Sequence, residues 1–253
     1  NNYLIGNSSV LTGMDLSGFD LSSSYLGNVT SGNITGTPVA LPADFQLING
    51  YLVGPSANLI NADLSGQIIS SSTDRADLSN ADLTGANLSG ADLTYADLED
   101  IDFSNANLTD TILNSASLSN SIFNGTNIEG TEFTDWSSRF RYIESSDLSG
   151  TPSALPSGFA MINGYLVGPY AKLNGADFSG LVMEELTGMN LSNASLVGAT
   201  FYGSNLDNIN FQNANLSNVN FQNSDQNNNS FIGANLTDAD LAESELIDVD
   251  FTN

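Results

Sequence analysis

Carboxylates are the most abundant ionisable groups in this chain. The 253 residues include 29 Asp and Glu but only four Lys and Arg, and there is no Cys or His. A disulfide, a zinc-thiolate site, a Cys nucleophile and a His general base are therefore excluded. Paired carboxylates could act as general acid and base, but among so many acids such pairs are easy to find and carry little information. We predict that the protein is not an enzyme and has no cofactor.

Rows of acids at a fixed spacing could instead bind Ca²⁺. Asp77 with Asp97, and Asp82 with Asp102, stand twenty residues apart. Calcium takes six to eight converging oxygen ligands, and two stacked carboxylates supply fewer. Asp and Asn are also favoured at bends, where they would form a solvated face. We predict no metal site, with weak Ca²⁺ binding as the less favoured alternative.

Basic and aromatic side chains are concentrated in residues 136–142 (WSSRFRY), which hold the single Trp and two of the three Arg. Aromatic residues and Arg are enriched at binding hot spots. Arg141 falls where the surrounding pattern places a small inward residue, so we expect the backbone to bulge there. Alternatively, the segment is a loop whose arginines pair with acids such as Asp135 and Glu144. The candidate contact for a protein or glycan partner consists of Trp136, Arg139, Phe140, Arg141 and Tyr142.

A five-residue period organises the rest of the chain. From residue 76 to 135 the sequence reads ADLSN ADLTG ANLSG ADLTY ADLED IDFSN ANLTD TILNS ASLSN SIFNG TNIEG TEFTD. Leu, Phe or Ile occupies every fifth position, and a small residue generally precedes it by two, so both face the same side of a short strand. The Asp or Asn between them faces the other way. The period predicts short strands separated by bends.

Four such units close one coil. At a spacing of twenty, Phe103 meets Phe123 and Phe201 meets Phe221, whereas a spacing of fifteen places Phe211 against Gln226. Coils would stack at the strand spacing of about 4.8 Å, and each would bury only its neighbours' faces. We expect Leu78, Leu83, Leu88 and Leu93 to point inward in four columns, leaving no room for a ligand channel.

Two polar residues stand at inward positions of one coil. Gln226 takes the large position between Leu206 and Leu246, and Asn229 takes a small one. A buried amide without partners costs about 1–3 kcal/mol. We expect a locally distorted coil with internal hydrogen bonds, and predict that Gln226→Leu is neutral or stabilising if the site is only structural. A buried functional polar site is the alternative.

The tandem A(D/N)LXX units resemble the pentapeptide-repeat family over most of the chain. The resemblance implies an all-β fold, a right-handed quadrilateral parallel β-helix of about twenty residues per coil. It also implies a possible target, because some members resemble duplex DNA in shape and charge and act on DNA gyrase. Those members dimerise through a C-terminal helical element, and nothing in this sequence resembles one.

Two similar blocks interrupt the coils. Residues 36–66 and 150–180 share 21 of 31 positions at an offset of 114, and all six prolines lie in them. Each contains Asn-Gly between apolar runs, at Asn49-Gly50 and Asn163-Gly164, which predicts a hairpin with a type I′ turn. The blocks resemble an element of long bacterial pentapeptide-repeat proteins. We expect a coil decorated by a hairpin, with ligand recognition by the hairpins as the alternative.

The blocks divide one continuous solenoid into three segments. Residues 1–35 form the tail of a preceding repeat unit. The first full unit is 36–149, with its block at 36–58, coils at 59–135 and the break at 136–149. The second is 150–253, with its block at 150–172 and coils at 173–253.

The net charge of −25 limits the partners. It repels nucleic-acid phosphates and anionic membrane surfaces, and no apolar stretch is long enough to cross a membrane. We predict no direct nucleic-acid binding and no membrane insertion. The leading hypothesis is a non-enzymatic scaffold or protein-interaction module from a longer bacterial repeat protein, with an unknown protein partner or end-to-end self-association. The alternative is a DNA-mimicking regulator of an enzyme such as gyrase. An extracellular or periplasmic location is slightly favoured.

Overall fold

The structure is a computed structural model that describes residues 5–134, 139–178 and 188–252. These residues form short strands and isolated parallel bridges, with no α-helix and no helix able to cross a membrane. The strands are β1 Gln46–Ile48, β2 Tyr51–Val53, β3 Ile68–Ser70, β4 Asp92–Leu93, β5 Ala160–Ile162 and β6 Tyr165–Val167. The pairs β1–β2 and β5–β6 are antiparallel, and β3–β4 is parallel.

Each five-residue unit ends in a tight turn. In the unit around Leu78, the Ala81 N–H donates to the Leu78 carbonyl at 2.9 Å, and Asn80 between them has a φ of 60°. The next corner is Gly85, with a φ of 68°. Left-handed φ is tolerated best by Gly, Asn and Asp, which explains why these residues recur at the fifth position.

The Asp or Asn before each large inward residue caps the same turn. The Ser79 N–H donates to Asp77 Oδ1 at 2.9 Å, and the Thr84 N–H donates to Asp82 Oδ1 at 3.0 Å. Such bonds from a backbone N–H to the side chain two residues earlier are characteristic of Asp and Asn at bends. The predicted preference of these residues for bends is confirmed, and each acid in the row has a local structural role.

Parallel bridges join consecutive coils, in most cases between residues twenty apart and elsewhere between residues 22 to 28 apart. Asp77 pairs with Asp97 and Asp97 with Ser117, while Asp82 pairs with Asp102. The Leu83 N–H donates to the Asp102 carbonyl at 2.8 Å. Backbone amides therefore bond from coil to coil, as expected for repeats without proline.

Two compact units divide the chain. The N-terminal unit comprises Asn1–Phe140 and Leu148–Pro156, and the C-terminal unit comprises Arg141–Asp147 and Ser157–Asn253. In the N-terminal unit the four leucines expected to point inward are fully buried, and Phe103 stacks on Phe123 with ring centroids 5.1 Å apart. In the C-terminal unit two phenylalanine columns stack at 5.0–5.2 Å: Phe178, Phe201 and Phe221, and Phe211, Phe231 and Phe251.

Both predicted hairpins are confirmed. The φ angles at Asn49 and Gly50 are 47° and 79°, and those at Asn163 and Gly164 are 48° and 78°, as a type I′ turn requires. Thr30 bridges to a residue 28 positions later, Asn58, which is eight more than the regular spacing. The β1–β2 hairpin, from Gln46 to Val53, contains eight residues. The hairpin is therefore an eight-residue insertion within one otherwise regular coil.

Candidate interaction site

The residues of the predicted partner contact have different environments. Trp136 lies outside the described residues. Phe140 is buried in the N-terminal unit, where its ring meets Phe133 edge to face at 5.6 Å. Its aromatic surface belongs to the core and is not available to a partner. Arg139 is exposed and lines a surface cavity of the same unit.

Arg141 and Tyr142 belong to a small cation–aromatic cluster of the C-terminal unit. The Arg141 guanidinium lies 4.7 Å from the centre of the Tyr170 ring, and Tyr142 packs edge to face on the same ring at 5.8 Å. Arg141 is half-buried and its Nε has no hydrogen-bond partner. Ile143 is fully buried, and its carbonyl accepts from the Lys172 N–H at 2.8 Å. The ladder therefore continues beside the cluster, and the guanidinium stacks on a tyrosine.

The cavity beside Arg139, which we call the Arg75 cavity, contains residues that the sequence did not single out. Its volume is about 410 Å³, and its charged and aromatic lining consists of Arg75, Asp77, Tyr95, Asp97, Glu99 and Arg139. The Arg75 guanidinium lies 5.0 Å from the centre of the Tyr95 ring. One signal could have identified this pair: Tyr95 occupies a fifth position at which its neighbours have Gly, Asn or Asp.

Three tyrosines share an unusual backbone conformation. Tyr95, Tyr142 and Tyr170 have φ angles of 63°, 57° and 61°, and they are the only aromatic residues with positive φ in the described part of the chain. Left-handed φ is unfavourable for a bulky residue, and such strain is concentrated at functional sites. Two of the three, Tyr95 and Tyr170, have an arginine over the ring.

Charges of both signs face the Arg75 cavity. Partial burial raises the pKa of the Asp97 carboxyl, and the like charges of Glu99 and Asp77 act in the same direction. The hydrogen bond from the Glu99 N–H and the positive charge of Arg139 oppose this rise. Arg75 forms no ion pair with any described residue, although Asp77 and Asp97 line the same cavity.

The inward amides of the C-terminal unit form a closed network. Gln226 Nε2 donates to Ser224 Oγ at 2.9 Å, and Asn229 Nδ2 donates to Gln226 Oε1 at 2.9 Å. Asn229 Oδ1 accepts from the Ile209 N–H at 2.7 Å. The predicted internal hydrogen bonds are confirmed.

The predicted distortion of this coil is wrong. Asp225 and Ser230, on either side of the amides, keep their bridges to Asn205 and Asn210 at the regular spacing. The irregularity lies in the neighbouring coil, where the Ile209 N–H bonds to the Asn229 side chain. The expectation that Gln226→Leu would be neutral or stabilising must also be reversed, because leucine would leave Asn229 Nδ2 without its acceptor.

Oxygen-bearing side chains of the outer face were considered as metal ligands. In the described ranges, no group of three or more Asp or Glu side chains is arranged to hold a metal ion. Asn205, Asp207 and Asn227 each have a buried Oδ1 without a hydrogen-bond partner. Only one of the three is an acid, and we assign no ligand there.

Comparison with known proteins gives two family matches. A family model described as pentapeptide repeats matches residues 74–110 and 101–135, and a second, described as a pentapeptide repeat region, matches residues 183–251. Together these ranges span just over half of the chain. No curated protein matches the sequence.

Several solved structures are also similar. HetL, a pentapeptide repeat protein involved in heterocyst differentiation regulation from the cyanobacterium Nostoc sp. strain PCC 7120, is 23% identical, with a TM-score of 0.28 over 96% of this chain and 87% of HetL. QnrB1, a plasmid-mediated fluoroquinolone resistance protein, is 17% identical, with a TM-score of 0.28 over 95% and 91%. Rfr23 from the cyanobacterium Cyanothece 51142 is 17% identical, with a TM-score of 0.18 over 95% and 90%.

These TM-scores are too low to support an argument from superposition, so the assignment depends on the family models and the repeat itself. The matched ranges contain the buried columns, the left-handed corners and the capping Asp and Asn residues described above. This chain therefore belongs to the pentapeptide-repeat family.

Proposed function

We propose that this chain is a non-enzymatic scaffold and protein-interaction module of a longer bacterial repeat protein, built as a right-handed, four-sided coil. One contrast supports this proposal. On the regular faces, short polar side chains are engaged with one another: Asn107 Nδ2 donates to Asn87 Oδ1 at 3.1 Å, and Asn127 Nδ2 donates to Asn107 Oδ1 at 3.4 Å. The three arginines lie elsewhere, in two clusters that each contain at least one tyrosine.

A protein partner is expected to recognise these clusters. One contains Arg75, Tyr95 and Arg139, and the other contains Arg141, Tyr142 and Tyr170. Trp136 remains part of the proposed contact. Arginine on an otherwise acidic wall produces a distinctive local field, and Arg and Tyr are typical hot-spot residues. The repeated Asp, Asn, Ser and Thr of the regular faces differ little from one coil to the next.

Affinity capture with matched variants tests this function. Tyr142 and Tyr202 are similarly exposed, at 44% and 48%, but only Tyr142 belongs to a cluster. Asn is a suitable replacement because it tolerates left-handed φ. Partners captured from a bacterial lysate by the wild type should be retained by Tyr202→Asn and lost by Tyr142→Asn and Arg141→Gln. Equal capture by all four proteins would place the contact elsewhere, with the hairpin blocks as the next candidate.

A DNA-mimicking regulator is the second candidate function. It is supported by the net charge of −25 and by carboxylates that repeat along the ladder, as in Asp77 with Asp97 and Asp82 with Asp102. Strand spacing places such charges about 4.8 Å apart along the coil stack, against one phosphate per about 3.4 Å of helix axis on each strand of DNA. A gyrase supercoiling assay tests it: dose-dependent inhibition that weakens with added salt would support the candidate, and unchanged supercoiling would exclude gyrase as its target.

An extracellular or periplasmic location is part of the proposal. It follows from the expectation that the chain belongs to a longer secreted protein. Cell fractionation of the full-length gene product, with detection by an antibody against these coils, tests it. Recovery only with the cytoplasmic fraction would contradict the proposed location.

A further inference from the structure

The Arg75 cavity has the size of a small-molecule site. Its volume of about 410 Å³ falls within the range of about 300–1,000 Å³ that is usual for such sites. It lies on the outer face of the N-terminal unit, where Asp77, Asp97 and Ser117 follow one another in a ladder. The ladder fixes the carboxylates of neighbouring coils, so the lining is preorganised.

One wall provides a positively charged group for an anion. Arg75 is exposed, and Tyr95 supports its guanidinium at 5.0 Å without using any of its N–H donors. A guanidinium binds a carboxylate through two parallel hydrogen bonds. Because Arg75 forms no ion pair with a described residue, these donors are available to a ligand.

The acidic side chains of the cavity lining provide negative charge for a cation. Asp97 Oδ1 accepts only the Glu99 N–H, at 3.2 Å, and Glu99 Oε1 accepts from Ser117 Oγ at 2.7 Å. Asp77 bridges to Asp97 in the next coil, so two carboxylates stand side by side. Their mutual repulsion contributes to the raised pKa of Asp97. A cation bound here would relieve that repulsion.

We propose that this cavity binds a small zwitterion, a molecule with one carboxylate and one ammonium group, whose carboxylate pairs with Arg75 and whose ammonium group pairs with Asp97 and Asp77. A simple anion would be repelled by the three carboxylates of the lining. A simple cation would leave Arg75 unpaired and face two guanidinium groups. A zwitterion complements both the arginine and the carboxylates of the cavity lining. The cavity shares Arg75, Tyr95 and Arg139 with a cluster proposed above to contact a protein, but its test uses small molecules alone, so either proposal can fail without the other.

Calorimetric titration with ω-amino acids tests the proposal, because their two charges lie at graded separations. The probes are glycine, 4-aminobutyrate and 6-aminohexanoate, and butyrate and butylamine are the singly charged controls. At least one zwitterion should bind about ten-fold or more tightly than either control. The proposal is overturned if no zwitterion binds, or if one of the controls binds as tightly.

Variants locate the binding. Arg75→Gln and Asp97→Asn should each weaken the best zwitterion about ten-fold or more, and Tyr95→Asn should weaken it less because it removes only the support of Arg75. Lys172→Gln also removes one positive charge, but in the C-terminal unit, and should leave binding unchanged. Thermal unfolding shows whether each variant is folded. Folded Arg75→Gln and Asp97→Asn proteins that bind like the wild type would overturn the assignment of this site.

Discussion

The two units share one way of placing polar side chains inside their coils and differ in a second. In the N-terminal unit, hydroxyls at small inward positions donate to a carbonyl 23 residues earlier. The four bonds, of 2.7–2.9 Å, run from Thr111, Ser121, Thr126 and Thr131 to the carbonyls of Leu88, Leu98, Phe103 and Leu108. The C-terminal unit has similar bonds, from Ser204 to the Phe178 carbonyl and from Ser244 to the Phe221 carbonyl. It also places two amides inward: Gln226 and Asn229 bond to each other, to Ser224 and to the backbone at Ile209.

The difference shows how the chemistry of a side chain determines its dependence on neighbours. A hydroxyl has one donor, and the inner wall already offers an acceptor: the Phe103 carbonyl, which takes the Ala106 N–H at 2.9 Å, also accepts from Thr126. A carboxamide has two donors and an acceptor oxygen, so it needs several partners. We therefore expect the hydroxyl positions to behave independently and the amide positions to behave as one group.

The largest expected effect comes from breaking the amide network. Gln226→Leu should lower the free energy of unfolding of the C-terminal unit by about 1–3 kcal/mol, because the buried Asn229 Nδ2 loses its acceptor. Native-state hydrogen exchange of the Ile209 amide is a suitable measurement, since it reports local stability in a chain with two compact units.

A double variant tests the coupling. Gln226→Leu/Asn229→Ala removes both amides, so its cost should be smaller than the sum of the two single costs. Additive costs, or a neutral Gln226→Leu, would show that the amides do not act as a group.

A smaller effect is expected for a hydroxyl in the N-terminal unit. Thr126→Val keeps the shape and removes one hydrogen bond, so it should cost about 0.5–1.5 kcal/mol. The Phe103 carbonyl keeps its bond from Ala106, which limits the loss. Urea unfolding of Thr126→Val, Thr111→Val and the double variant should give additive costs. A strongly non-additive double variant would contradict the independence of these positions.

The smallest effect concerns caps on the outer face. Ser65 donates its hydroxyl and its N–H to Asp63 Oδ1, at 2.7 and 3.2 Å, and these bonds lower the pKa of Asp63 from its usual 3.8. A lowered carboxyl pKa stabilises the folded state above about pH 4, and this contribution is lost as pH falls through the folded-state pKa. Thermal unfolding between about pH 2 and 6 should show a slightly weaker acid dependence for Ser65→Ala than for the wild type. An unchanged profile would mean that the cap does not contribute to the acid response.

The coil and the hairpins could be predicted because they depend on local rules. A large apolar residue at every fifth position, such as Leu78 and Leu83, indicates the inward columns, and Asn49-Gly50 selects one turn type on its own. The preference of Asp77 for a bend is also local, since its partner is the amide of Ser79. Such features need only a few neighbouring residues of sequence.

The sites could not be predicted to the same extent, because they depend on residues from different coils. The Arg75 cavity needs Tyr95 in a left-handed corner of the next coil, and that conformation contradicts the usual preference of a bulky residue. Phe140 was selected because aromatic residues are enriched at binding hot spots, but the fold places its ring against Phe133. The partners of Asn229 include Ile209, twenty residues earlier. Sequence composition identified the polar and aromatic residues but not their neighbours.

The eight-residue hairpins show how this fold can change length during evolution. Thr30 still bridges to Asn58, and Glu144 to Lys172, although eight residues have been added between the members of each pair. The second strand of each hairpin ends in buried residues, Val53 and Val167, so the insertion rejoins the core and the bridges on either side of it are kept. Genes of this kind can therefore gain short in-frame insertions that are not multiples of five codons without loss of the fold. Each hairpin is a natural position at which a foreign peptide could be displayed.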